Sequence, residues 1–107
     1  MVNLRNEYGE TPLMQASRYG RESVVRLLLS RGAKQELQGV NGYTAPHLAV
    51  FSDYPGVVEL LCAAPGAAAA LALKTSAGLG DHTPLAMAIH KGRAACEAVL
   101  RAHGAPE

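Results

Sequence analysis

Gly9-Glu10-Thr11-Pro12-Leu13-Met14-Gln15-Ala16 is the stretch that decides the fold, because the chain repeats it twice. The second copy is Gly42-Tyr43-Thr44-Ala45-Pro46-His47-Leu48-Ala49, and the third is His82-Thr83-Pro84-Leu85-Ala86-Met87-Ala88. The first two threonines are 33 positions apart and the last two are 39 apart, so the second interval holds six extra residues. A fixed period in this range indicates a chain built from repeated supersecondary units.

Each copy is expected to begin a short helix that is followed by a second, apolar one. The threonine hydroxyl can cap free backbone N–H groups, and a proline at the first helical position has no N–H to leave unpaired. In the first unit, Gly20 ends the short helix, and the second helix carries an apolar face. That face consists of Val24, Val25, Leu28 and Leu29, and the second unit matches it with Val57, Val58, Leu61 and Cys62. Two helices of this length cannot bury their apolar faces alone, so each unit needs a neighbour.

The second and third units depart from the first at a few positions. Asp53 stands where Gly20 stood, and Ala45-Pro46 replaces a Pro-Leu pair, so we expect a local adjustment at that helix start. In the third unit Glu97 and Arg101 replace apolar residues, as expected at the end of a stack. The first unit has no such polar residues, so its outer face is expected to meet a further repeat or a partner. On the second helix of the first unit, Glu22 and Arg26 have the spacing of a surface ion pair.

The period fails from Pro65 to Gly80, and residues 67–80 form the insertion. Ala67 to Lys74 favours helix by propensity, and residues 75–81 have the composition of a loop. We interpret this insertion as an extended finger with one helical turn, which is either neutral or functional.

The three copies together resemble the ankyrin repeat. The pattern Gly-x-Thr-Pro-Leu-x-x-Ala-x-x-x-Gly in the first unit recurs from the threonine onward in the third, and the second unit keeps Thr44 with His47-Leu48-Ala49. The resemblance covers about residues 2–106 and implies an all-α solenoid of stacked helix-turn-helix units with projecting β-turn or hairpin loops. Residues 1–107 would then form one domain, with repeat 1 at about 6–34, repeat 2 at about 39–66, an extended loop at 67–80 and repeat 3 at about 81–107.

The resemblance also implies a non-catalytic module that binds a partner protein through its turn tips and concave inner helices. By position, the implied binding residues are Arg5, Glu7, Tyr8, Glu10, Arg18, Tyr19, Gln38, Val40, Asn41, Tyr43, Phe51, Ser52, His82, His90 and Lys91, together with Leu79 in the turn that the insertion blurs. Four of the five aromatic residues of the chain are among them, and aromatic side chains are common energetic anchors of interfaces. The alternative for Tyr19 and Phe51 is that they only pack between repeats.

A second hypothesis is a structural spacer, or a segment of a longer ankyrin array that self-associates. The chain would then be either a monomer or an oligomer held through the face of its N-terminal repeat, with Val24 and Leu28 as contacts.

Composition argues against a nucleic-acid or membrane partner. The chain has 10 Lys and Arg against 9 Asp and Glu, and it lacks the clusters of basic residues that attract phosphates or anionic lipids. Its longest apolar run is too short for a membrane span, and it has no apolar signal segment near Met1. We therefore expect an intracellular protein of the cytoplasm or nucleus.

The sequence gives no indication of an enzyme, a metal or a cofactor. Cys62 and Cys96 have no metal-ligand spacing and are expected to be reduced and buried. His82 and His90 lack further ligands at metal spacing, and His47 stands where ankyrin repeats place a histidine that bonds to the backbone between repeats. The nucleophilic side chains have no partner arrangement for catalysis.

Overall fold

A computed structural model describes residues 2–76 and 81–107 of the chain. Within those residues the regular structure is helical, as expected, apart from short turns. The helices are α1 (Pro12–Arg18), α2 (Glu22–Ser30), α3 (Ala45–Phe51), α4 (Pro55–Cys62), α5 (Ala67–Ala72), α6 (Pro84–Lys91) and α7 (Ala94–Ala102).

The three repeated threonines cap α1, α3 and α6, which confirms the predicted helix starts. The Thr11 hydroxyl accepts a hydrogen bond from the Met14 N–H at 3.2 Å, and Thr83 does the same for Ala86 at 3.1 Å. The cap of α3 is reciprocal, because Thr44 accepts from the His47 N–H and its own N–H donates to His47 Nδ1 at 3.1 Å. The shift of the proline from position 45 to 46 does not move the start of the helix. α3 begins at Ala45, directly after its threonine cap, just as α1 begins directly after Thr11.

The link between paired helices requires a left-handed residue. Gly20 has φ of 68° after α1, and Asp53 has φ of 63° at the matching place after α3. Asp is one of the few residues with a side chain that tolerates this region, so the replacement keeps the turn. At Gly20 the need for glycine is also steric, since a Cβ there would lie 2.6 Å from the Tyr54 ring.

The helices stack in two rows. The inner row is α1, α3 and α6, and the outer row is α2, α4 and α7, with each outer helix packed on the inner helix that precedes it. The core between the rows is made of small and branched side chains, including Val25, Val57, Val58, Leu61 and Leu100, all of which are fully buried.

The two ends of the stack differ as the sequence predicts. At the N-terminal repeat, Val24 is 40% exposed and Leu28 is half-buried. At the third repeat, Glu97 and Arg101 form an ion pair at 2.9 Å. The expected pair between Glu22 and Arg26 is not formed, and the Glu22 carboxylate lies against Gly56 of α4 instead.

The described part of the insertion packs against the stack, whereas we expected an extended finger. Residues 67–72 form α5, whose Ala70 and Leu71 are buried between α4 and α6. Beyond it, the N–H of Thr75 donates to the His82 carbonyl at 3.0 Å, and the N–H of Ser76 donates to the Asn41 carbonyl at 2.8 Å. These bonds tie the segment to the second and third repeats. Residues 77–80, and with them Leu79, lie outside the described residues.

Gln35 supplies a contact between repeats that the sequence pattern did not reveal. The side chain is fully buried, and its Nε2 donates to the carbonyls of Leu61 at 2.8 Å and Pro65 at 3.0 Å. The Leu61 carbonyl lies in the last turn of α4, and the Pro65 carbonyl lies in the turn that follows the helix. Gln35 of the first repeat thus closes a helix of the second.

Candidate functional site

A groove of about 1040 Å³ runs along the concave side of the first two repeats. Its lining comes from α1, α3 and the two turns that precede them. Of the fifteen predicted surface residues that the structure describes, ten meet there: Glu7, Tyr8, Glu10, Arg18, Tyr19, Val40, Asn41, Tyr43, Phe51 and Ser52.

Aromatic side chains from two repeats stand around this groove. Tyr8 is 67% exposed, Tyr19 is 59% exposed and Phe51 is 44% exposed. Tyr43 is half-buried, and its ring meets Phe51 edge-on at 6.3 Å and the His47 ring at 5.8 Å. Tyr19 and Phe51 are therefore not covered by packing between the repeats.

The floor of the groove is apolar, and sequence reasoning missed it. Met14 and Leu48 are buried below the rim, and Gly39 approaches Met14 so closely that a Cβ there would lie 3.1 Å from the Met14 sulfur. Gln15 and Gly9 complete the lining. Helical spacing could have located two of these residues, because positions 14 and 15 lie one turn before Arg18 and Tyr19 on α1.

Charges at the N-terminal end of the groove are balanced. Arg18 forms an ion pair with Glu10, and the Arg5 guanidinium donates to the Gly9 carbonyl at 2.9 Å, in the turn that carries Glu7. Two arginines and two glutamates lie at this end, so their formal charges sum to zero.

The other predicted residues lie beside the groove. The Gln38 side chain bonds to the backbone, because its Nε2 donates to the carbonyls of Gly42 at 3.0 Å and Lys74 at 3.1 Å. His82 and His90 stack on each other with their ring centroids 5.1 Å apart. The Lys91 ammonium lies 4.9 Å from the Phe51 ring centroid.

His47 is a structural residue, as expected. Its Nε2 lies 2.8 Å from the His82 carbonyl of the next repeat, and its Nδ1 belongs to the cap of α3. Burial lowers the pKa of this imidazole from its usual 6.5 to about 4. It is therefore neutral near pH 7, and both of its ring nitrogens are used by the fold.

The environment of each cysteine raises the pKa of its thiol. Burial, followed by the nearby Glu59 carboxylate, raises the pKa of Cys62 to about 11. Burial and then the Asp53 carboxylate raise the pKa of Cys96 to about 12. Cys96 is buried as expected, whereas Cys62 is only half-buried.

Two further searches cover only the described residues. Residues 2–76 and 81–107 contain no group of three or more His, Cys, Asp or Glu side chains placed to hold a metal ion. None of the helices α1 to α7 is long and apolar enough to cross a membrane.

Comparison with known proteins points to one family. The family model described as ankyrin repeats (3 copies) matches residues 1–71. Rabankyrin-5 of Mus musculus is 36% identical over 101 residues, which are 92% of this chain and 8% of that protein, and rabankyrin-5 of Homo sapiens gives the same figures. The NAD-capped RNA hydrolase NUDT12 of Homo sapiens is 35% identical over 66 residues, which are 62% of this chain and 14% of that protein.

The chain thus spans a small part of the length of each of these relatives. The family model covers more than half of the chain, and the capped inner helices and the two-row stack agree with it. The chain belongs to the ankyrin repeat family.

Proposed function

We propose that this chain is a non-catalytic module that binds another protein in the groove over α1 and α3. Ankyrin repeats are generally protein-protein interaction modules. The observation that carries the proposal for this chain is the meeting of Tyr8, Tyr19, Tyr43 and Phe51 in one groove.

The chemistry of these side chains supports a protein partner. Tyrosine and phenylalanine bury a large area with few rotatable bonds, and a tyrosine hydroxyl can keep a hydrogen bond at the rim. The floor beneath them, at Met14 and Leu48, gives a partner side chain an apolar surface. The turn-tip residues Val40 and Asn41 are exposed and extend this surface beyond the helices.

The proposal is tested by comparing what the wild-type protein and a groove variant capture from a cell lysate. We choose Tyr8→Ala with Tyr19→Ala, because these two rings are the most exposed and their loss should leave the fold intact. Interface anchors often contribute about 2 kcal/mol each, so the double variant should hold its partner at least about tenfold more weakly. Mass spectrometry identifies the proteins that depend on the groove.

Leu27→Ala is the matched control. Leu27 is an exposed apolar residue of α2, on the outer row and outside the groove. Its replacement should change capture little, and circular dichroism verifies that all variants are folded. Equal capture by the wild type and the double variant would refute the groove as the binding surface.

A second function is a spacer or self-associating segment of a longer ankyrin array. The exposed apolar surface of α2 supports it. Val24 and Leu27 are exposed, and a shallow concavity of about 410 Å³ lies beside Val24, Leu28 and Pro12. Sedimentation equilibrium decides between the two functions. Concentration-dependent dimers that Val24→Glu dissociates would favour self-association, and a monomer in both proteins would exclude it.

A further inference from the structure

The third repeat places a cation, Lys91, at one end of the binding surface. In the first repeat Arg18 is paired with Glu10, and Arg5 shares its turn with Glu7. The groove residues of the second repeat, such as Tyr43, carry no formal charge at pH 7. The third repeat adds Lys91 beside the stacked imidazoles of His82 and His90.

Lys91 is a cation available for a partner. It is exposed, and among the described residues it forms no ion pair with any carboxylate, including those of Asp53 and Asp81. Its ammonium lies 4.9 Å from the centroid of the Phe51 ring, which holds it by a cation–π contact. That contact uses no acceptor, so the three N–H donors of the ammonium stay free for a carboxylate.

The same Phe51 ring lines the apolar groove. The Phe51 ring therefore contacts both the groove and the Lys91 ammonium. A ligand that packs against Phe51 lies close to Lys91. In an extended chain, residues i and i+2 point to the same side about 7 Å apart, which suits the short distance between the ring and the ammonium.

We infer that the groove takes an extended segment of an acidic partner protein. This inference rests on the proposed function and names its ligand: an aromatic or large aliphatic side chain packs against Phe51, and an Asp or Glu two residues away pairs with Lys91. The segment runs across the inner helices, with its acidic residue toward the third repeat.

A single-stranded nucleic acid also combines flat rings with anionic groups, and aromatic and cationic side chains bind it. The balance of charges favours protein. The chain has 10 Lys and Arg against 9 Asp and Glu, and two of those carboxylates, Glu7 and Glu10, line the groove itself. A phosphate backbone carries one negative charge per nucleotide, whereas Lys91 offers one positive charge, which matches a single Asp or Glu.

The test is a selection of random 12-residue peptides displayed on phage against the full chain at physiological ionic strength. We expect the selected peptides to share an aromatic or large aliphatic residue with Asp or Glu two positions away. The strongest peptide is then synthesised with a fluorescent label, together with a version in which the acid is replaced by its amide.

Binding by fluorescence polarisation follows for the charge-reversal variant Lys91→Glu. A partly exposed ion pair is weak, so the amide peptide should bind the wild type about threefold less tightly, and Lys91→Glu should bind the acidic peptide about tenfold less tightly. Lys34→Glu is the matched control, because Lys34 is exposed and lies outside the groove. It should bind within about twofold of the wild type, because salt screens a single exposed charge that does not line the groove.

Three outcomes would overturn the inference. If peptides bind and Tyr8→Ala weakens them while Lys91→Glu does not, the acidic ligand is wrong and the proposed groove stands. If no peptide is selected, the extended-segment ligand is wrong. Lysate capture with the tyrosine variants then tests separately whether the groove is the binding surface. If a labelled 12-nucleotide single strand binds more tightly than any peptide and depends on Lys91, the partner is a nucleic acid.

Discussion

Replacing Gln35 with methionine should destabilise the protein at the junction of its first two repeats. Methionine keeps the length and apolar stem of glutamine but has no donor. The carbonyls of Leu61 and Pro65 would then lose their hydrogen bonds of 2.8 and 3.0 Å, whereas the bond that the Leu61 carbonyl accepts from the Ala64 N–H at 3.1 Å would remain. Hydrogen bonds contribute about 1 kcal/mol each, so the two lost bonds are worth about 2 kcal/mol.

One feature of the site reduces this loss. Within the described residues Gln35 Oε1 has no hydrogen-bond partner, so its removal returns part of the free energy. We expect the free energy of unfolding to fall by about 1 kcal/mol, and the Tm to fall by about 4 to 8 °C.

Urea unfolding followed by circular dichroism measures the change. Gln15→Met is the control, because Gln15 is exposed on α1, and the same replacement there should change stability by less than about 0.5 kcal/mol. A loss at Gln35 that does not exceed the control would refute the idea that this side chain closes α4.

Three further predictions follow from the described contacts. Because the pKa of His47 is lowered to about 4, the unfolded state binds its proton more readily below pH 6.5; stability should therefore fall by about 2 kcal/mol between pH 7 and pH 5, and His47→Gln should remove that slope in urea titrations. Gly20→Ala should lower the free energy of unfolding by at least about 1 kcal/mol, because alanine disfavours φ of 68° and its Cβ would meet the Tyr54 ring; an unchanged urea midpoint would count against this. With pKa values of about 11 and about 12, Cys62 and Cys96 should react with iodoacetamide at pH 8 far more slowly in the native protein than in urea, as mass spectrometry of the alkylated peptides would report.

The features that the sequence predicted are those fixed by neighbouring residues. Thr11, Thr44 and Thr83 cap helices through bonds to groups three residues away, so the repeat pattern itself carries the information. Asp53 could be matched to Gly20 because both positions need the left-handed region. The polar pair at Glu97 likewise followed from its place on the last outer helix.

The features that the sequence did not reveal depend on long-range contacts. Gln35 bonds to carbonyls 26 to 30 positions away, and no local pattern marks a glutamine for that task. The floor of the groove depends on how closely Gly39 approaches Met14, which only the stacking of two repeats determines. The insertion was expected to project, but the burial of Leu71 against the stack keeps its described part close to the fold.

For the binding residues, position within the repeat was a useful guide. It brought ten of the fifteen predicted residues in the described part of the chain to one groove, while Gln38 proved to hold a turn together. The roles of these residues in binding remain predictions that the experiments above address.

The most direct measurement is amide chemical-shift mapping by NMR of the labelled chain as a captured or selected ligand is added. We predict that the largest shifts lie on α1, α3 and the turns at residues 7–10 and 39–43, with a smaller group at Lys91. Shifts confined to the outer row of α2, α4 and α7 would contradict the groove as the binding surface.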